Sequence, residues 1–166
     1  MTLADLLADA RGKPGRLSDG HAGVCTAAHL AGEMFRHFSK TDIVGVPYRG
    51  GAAALNDLLS GQIQIFFNNA IEALPHLQSG SIRALGVSTA ARAAFQPNVP
   101  TIAEAGVPGY ATEVWWALLG PGGLPAEIAE TINRDCAAAL RAPVRLQRLE
   151  QFGAMVAGGS SGDLTN

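Results

Sequence analysis

Three short stretches of this chain carry the residue types that hold an anion: 20–26 (GHAGVCT), 48–53 (YRGGAA) and 68–70 (NNA). The first follows a short extended piece and the other two follow apolar runs; each leads into a helix-forming run, and two of them are glycine-rich. A glycine turn that opens a helix brings free backbone N–H groups and the positive end of the helix dipole to one place, which favours a small carboxylate or phosphate. Neither stretch matches the dinucleotide or Walker fingerprints, which argues against a nucleotide. The same glycines would equally serve plain tight turns. Cys25 and His29, four residues apart, share a helix face and have the residue types of a thiolate–imidazole pair. No third group stands to orient the histidine, so a small buried thiol and a helix-anchoring hydrogen bond are the simpler expectations. His37 and His76 read as solvated helix residues. Asp57 and Glu72 are single carboxylates without a partner at acid–base spacing. The expectation is a binding protein rather than an enzyme, with no cofactor and no metal.

The elements that must position these loops follow from periodicity. Thr2 caps a first helix carrying Leu3, Leu6 and Leu7, which stops near Gly12 and Pro14. Residues 26–38 place Leu30, Met34, Phe35 and Phe38 at helical spacing behind Thr26 as N-cap. Residues 42–47 (DIVGVP) predict a buried strand, 52–59 a helix ended by Gly61, and 63–67 (IQIFF) a second strand. A helix over 70–78 and a third strand over 82–88 continue the alternation. Strands alternating with helices of this length mean an α/β fold with a mostly parallel sheet, whose ligands sit beyond the carboxyl ends of the strands. All three glycine and asparagine loops belong to that edge. From 90 to 110 the pattern loosens around Pro97, Pro100 and Pro108, with one short helix at 101–104. VWWALL (114–119) predicts an apolar strand whose Trp115 and Trp116 face opposite sides. Helices follow over 126–140, behind Pro125, and over 143–152, and the chain ends in turn residues.

Composition narrows the class. Of 166 residues, 48% are hydrophobic and 16% charged, a balance incompatible with disorder. The net charge of −2 gives no electrostatic reason to expect nucleic acid. No apolar run approaches the roughly 18 residues of a membrane-spanning helix. Cys25 and Cys136 fit no metal or redox spacing and read as two small buried thiols. The first fifteen residues have neither the basic nor the apolar region of an export signal.

Combined, the motifs are specific. GHAG (20–23), Thr26, HLAGE (29–33), VPYRGG (46–51), LLSGQ (58–62), LPH (74–76), IRALGV (82–87), VPTIAEAG (99–106) and VPGY (107–110) occur in an order that resembles the Bug-type solute receptors of tripartite tricarboxylate transporters. The resemblance covers nearly the whole chain. It implies a periplasmic-binding-protein fold of type II, with a carboxylate held between two α/β lobes. It further implies a chain truncated at both ends. Residues 1–13 would lead into the second lobe, 14–110 would form that lobe complete, and 111–166 would be the returning, incomplete part of the first lobe. Ala22, Gly23 and Thr26 align with one ligand loop, Tyr48, Gly50 and Gly51 with another, and Asn68 with a third. Three positions depart from the pattern. His21 stands where serine is common, Cys25 where glycine or serine is common, and Asn68 where aspartate is common. A Cβ at Cys25 crowds a close backbone approach, and Asn68 removes a charge that would meet an ammonium or hydroxyl group. The implied partners are a small carboxylate and membrane transporter subunits, with a periplasmic location. Self-association through 114–119 is expected if that strand lacks its neighbours. The competing readings are a cytoplasmic ligand-sensing lobe, against which the missing helix-turn-helix speaks, and a small enzyme using Cys25.

Overall fold

The computed structural model describes residues 1–151, 153–160 and 163. The chain divides into two compact units, Met1–Val114 and a second beginning at Trp115.

In the first unit, α1 (Leu3–Gly12) begins with a reciprocal capping box: Asp5 N–H donates to Thr2 Oγ1 at 3.2 Å and Thr2 N–H to Asp5 Oδ2 at 2.7 Å. Its Leu3, Leu6, Leu7 and Ala10 are all buried. They share one core with Leu17, Phe35, Ile43, Ile102, Val107 and Tyr110. Three strands form a parallel sheet of order β2-β1-β3: β1 (Ser18–His21), β2 (Val44–Pro47) and β3 (Ile65–Phe66). The central β1 pairs Gly20 with Val46 on one side and with Phe66 on the other. Each strand feeds a helix: α2 (Ala27–Ser39), α3 (Gly51–Leu59) and α4 (Ala70–Gln78). The carboxyl ends of all three strands, and hence the amino ends of all three helices, share one edge. Two glycines mark close approaches. A Cβ on Gly20 would collide with Ile63 and crowd Ala54 of α3, and one on Gly32 would collide with the Asp19 carboxylate beneath α2.

Several expectations need correcting. The strand predicted over 42–47 is shorter and is an edge rather than a buried strand, with Val44 46% exposed. Of 63–67 only Ile65 and Phe66 pair. The strand predicted over 82–88 is reduced to one parallel bridge between Val87 and Thr101. Residues 101–104 are a turn, although Thr101 and Glu104 exchange the two hydrogen bonds of a capping box at 2.9 and 3.0 Å. A cap without an apolar run behind it closes a turn and no more.

The second unit contains α5 (Ala126–Arg141) and α6 (Pro143–Gln151). The helix predicted to 152 is described as far as Gln151; Phe152, like part of the predicted terminal turn, lies outside the described residues. VWWALL forms no strand: Trp115, Trp116, Leu118 and Leu119 are each more than 70% exposed, so the two tryptophans have no strand faces to divide between. Both cysteines are exposed, not buried. Among the described residues no helix is long and apolar enough to cross a membrane.

Candidate functional site

The three loops at the shared sheet edge differ in how they satisfy their own polar groups. The β1–α2 loop is closed upon itself. Gly23, at φ +126, turns its carbonyl toward buried His21, whose Nδ1 lies 2.9 Å from that oxygen. Thr26 Oγ–H donates to the same carbonyl at 2.7 Å and accepts from His29 N–H at 3.4 Å, which makes Thr26 the N-cap of α2. Its single hydroxyl proton is therefore spent within the loop, and Thr26 shapes the site rather than donating to an anion. Cys25 occupies the left-handed region at φ +63, where glycine would sit without strain. Its N–H donates to His29 Nδ1 at 3.3 Å, and His29 Nε2 faces Glu33 Oε1 at 3.5 Å. Both ring nitrogens are engaged, so His29 has none left to act as base for the Cys25 thiol. Its expected helix-anchoring role is the one the geometry gives it.

The β2–α3 loop is open. Gly50 is extended, and among the described residues no side chain caps α3. Tyr48 lies against Gly20, and its hydroxyl donates to Asp57 Oδ2 at 2.8 Å, tying the loop to the body of α3. The Asp57 carboxylate pushes the Tyr48 phenol above its ordinary pKa. Tyr48, like Thr26, has no free proton for a ligand, which leaves the amides at Gly51 and beyond.

The β3–α4 loop supplies a free donor. Asn68 Oδ1 accepts from Asn69 N–H at 2.8 Å, while its Nδ2 is buried without a partner. No side chain caps α4 among the described residues. A buried amide left unsatisfied costs about 1–3 kcal/mol and asks for an acceptor. Glu72, a single carboxylate without an acid–base partner in the sequence, lies in the first turn of α4. Its Oε2 lies 3.2 Å from where a Cβ on Gly51 would be, so it stands at the amino end of α3. That position is the favourable one for negative charge.

Behind the loops lies a buried charge network. Asp19, 1% exposed, receives Arg36 Nη1 at 3.4 Å on Oδ2 and has no partner on Oδ1. Burial pushes its pKa up to about 7 in spite of Arg36. The hydrogen bond from Arg36 holds Glu33 below the ordinary range. Of the sequence-predicted residues, Ala22, Gly23 and Thr26, then Tyr48, Gly50 and Gly51, then Asn68 thus lie on three consecutive strand-to-helix loops of one edge. Among the described residues no cluster of three or more His, Cys, Asp or Glu could hold a metal ion.

A parallel α/β sheet that gathers three helix amino ends at one edge offers backbone donors suited to a small anion. The chain matches the family described as tripartite tricarboxylate transporter family receptor (TctC) over residues 1–166, and it belongs to that family. This is a family of solute-binding receptors, not of enzymes. Protein BugT of Bordetella pertussis is 31% identical across 92% of this chain and 47% of its own length. Among solved structures, Rpa4515 of R. palustris with adipate superposes with a TM-score of 0.93 at 38% identity, over 99% of this chain and 55% of that one. MatC of Rhodopseudomonas palustris with bound malate gives 0.84 at 29% identity, over 93% and 53%. The chain spans about half the length of BugT and of these two solved structures. The fold is that of periplasmic solute-binding proteins of this type.

Proposed function

We propose that this chain supplies the carboxylate-holding lobe of an extracytoplasmic solute receptor that serves a tripartite tricarboxylate transporter. In this reading residues 14–110 form the lobe, with 1–13 leading into it and adding α1 to its core, and 111–166 belong to the receptor's other lobe. The observation that carries the reading is the buried, unpartnered Nδ2 of Asn68 on the edge that also gathers the amino ends of α2, α3 and α4. Ala22, Gly23, Gly50 and Gly51 contribute backbone, Asn68 contributes a side-chain donor, and Thr26 and Tyr48 hold their loops in shape. Neutral Asn68 suits a ligand without an ammonium group, and the adipate and malate bound by the two structural relatives are ligands of that kind. Titration calorimetry with adipate, malate and citrate tests this. Binding of at least one, lost in Asn68→Leu, is expected; heat from a neutral sugar or an amine but from none of the three acids would overturn it.

The same reading places the protein in the periplasm, with the transporter's membrane subunits as partners. Self-association through Val114, Trp115, Trp116, Leu118 and Leu119 rests on their exposed side chains, since the segment offers no strand edge. Light scattering at tens of micromolar should give more than the 17.1 kDa of one chain, and a clean monomer would refute it.

A further inference from the structure

We propose that His21 and His29 are a pair of positioning residues in opposite tautomers, which together fix the direction of the Val24 amide at the anion edge. The proposal rests on the carboxylate reading above for its ligand, but not for its geometry.

The two rings lie with centroids 4.5 Å apart, and His21 is only 3% exposed. His21 Nδ1 faces the Gly23 carbonyl oxygen at 2.9 Å. A carbonyl can only accept, so His21 must carry its proton on Nδ1. His29 Nδ1 faces the Cys25 backbone N–H at 3.3 Å. A backbone N–H can only donate, so His29 Nδ1 must be bare and the proton must sit on Nε2, toward Glu33 Oε1 at 3.5 Å. One chain thus needs two neighbouring histidines in different proton arrangements, each dictated by a backbone group of the same loop.

The consequence for the loop is geometric. Gly23 C=O is held by three donors, His21 Nδ1–H, Thr26 Oγ–H and Thr26 N–H, the last at 3.4 Å. The peptide between Gly23 and Val24 is planar and trans, so the Val24 N–H points opposite to that carbonyl, away from buried His21. Meanwhile His29 claims the next amide, that of Cys25. The loop therefore offers Val24 N–H to a ligand and withholds Cys25 N–H, Thr26 N–H and Thr26 Oγ–H. Neither histidine touches the ligand in this arrangement; each acts through the backbone.

The test reads the tautomers first. Long-range 15N–1H correlation on the ligand-free full chain should give His21 the Nδ1–H pattern and His29 the Nε2–H pattern. Both histidines as Nε2–H would overturn the proposal whether or not the protein binds any acid. The second arm uses adipate as probe. His29→Asn keeps an acceptor near the Nδ1 position, whereas His29→Gln places its polar end near Nε2. His21→Asn and His21→Gln differ in the same way for the donor. Each Asn variant should hold adipate within about threefold of the parent, and each Gln variant should lose tenfold or more. Equal losses in the Asn and Gln variants would overturn the positioning role. If the parent chain binds no adipate, malate or citrate, the carboxylate reading falls while the tautomer measurement still decides this proposal.

Discussion

Asp19 should make the stability of this protein fall as pH rises from 5 to 8, the reverse of the usual behaviour of a carboxylate. Its side chain is buried under α2 with one oxygen near Arg36 and the other without a partner. Burial raises its pKa from the ordinary 3.8 to about 7. Between those values the folded chain binds a proton that the unfolded chain has released, so raising the pH favours unfolding until about 7 and has no further effect above it. Integrated from pH 5 to pH 8, such a displacement is worth roughly 2–3 kcal/mol. With a urea dependence of about 1–3 kcal/mol/M, the unfolding midpoint should drop by roughly 1–3 M over that range. Asp5, Glu33 and Glu104 add little to the slope: their hydrogen bonds, chiefly with Thr2, Arg36 and Thr101, hold them below the ordinary carboxylate range in the folded chain, and their small contribution near pH 5 has the opposite sign. The assay is urea unfolding followed by circular dichroism at pH 5 and pH 8, for the parent and for Asp19→Asn. The difference between the two proteins isolates the one group, since the amide keeps the shape and cannot titrate. A parent midpoint that is flat or rises with pH, or an Asp19→Asn variant with the same slope as the parent, would refute the reasoning.

The remaining expectations are smaller in scope. Cys25→Gly removes a Cβ from a left-handed backbone position and should raise stability by about 0.5–1 kcal/mol in urea melts. Tyr110→Phe deletes a buried hydroxyl that donates to the Ala31 carbonyl at 3.2 Å and should cost about 1 kcal/mol by the same assay. Asp57→Asn should bring the Tyr48 phenol back toward its ordinary pKa, visible as an earlier rise at 295 nm in an alkaline titration. Glu72→Gln clears a carboxylate from the amino end of α3; at about 1 kcal/mol for like charges roughly 4 Å apart in water, adipate should bind about fivefold tighter by calorimetry.

How much of this was legible in the sequence depended on whether the signal was local. Thr2 and Thr26 were readable as caps because a cap needs only its own three residues, and both make the expected side-chain bond. The helices over 27–39, 51–59, 70–78 and 126–141 follow from apolar spacing; the last three stop close to a glycine or proline, whereas α2 ends at Lys40 in the left-handed region. Strands fared worse. The apolar runs at 82–88 and 114–119 have strand composition, but a strand exists only where a neighbour pairs with it, and composition does not contain the neighbour. The site divides in the same way. The loops were visible as glycine next to helix starts, and the family resemblance named their residues. Which donors remain free was not, since that depends on side-chain contacts that no motif records: Tyr48 with Asp57, and Glu72 at Gly51. Cys25 and Cys136, expected inside because small thiols pack well, are both at the surface.

The central claim is that a carboxylate is held by backbone amides and Asn68 at the shared edge of β1, β2 and β3. A 15N–1H correlation spectrum of the full chain titrated with adipate tests it residue by residue. The amides of Val24, Gly51 and Ala52 and the side-chain amide of Asn68 should move together along one binding curve, while the Cys25 amide, held by His29, should move least within its loop. Shifts confined to α5 and α6, or an Asn68 side chain that stays still at saturation, would contradict the account.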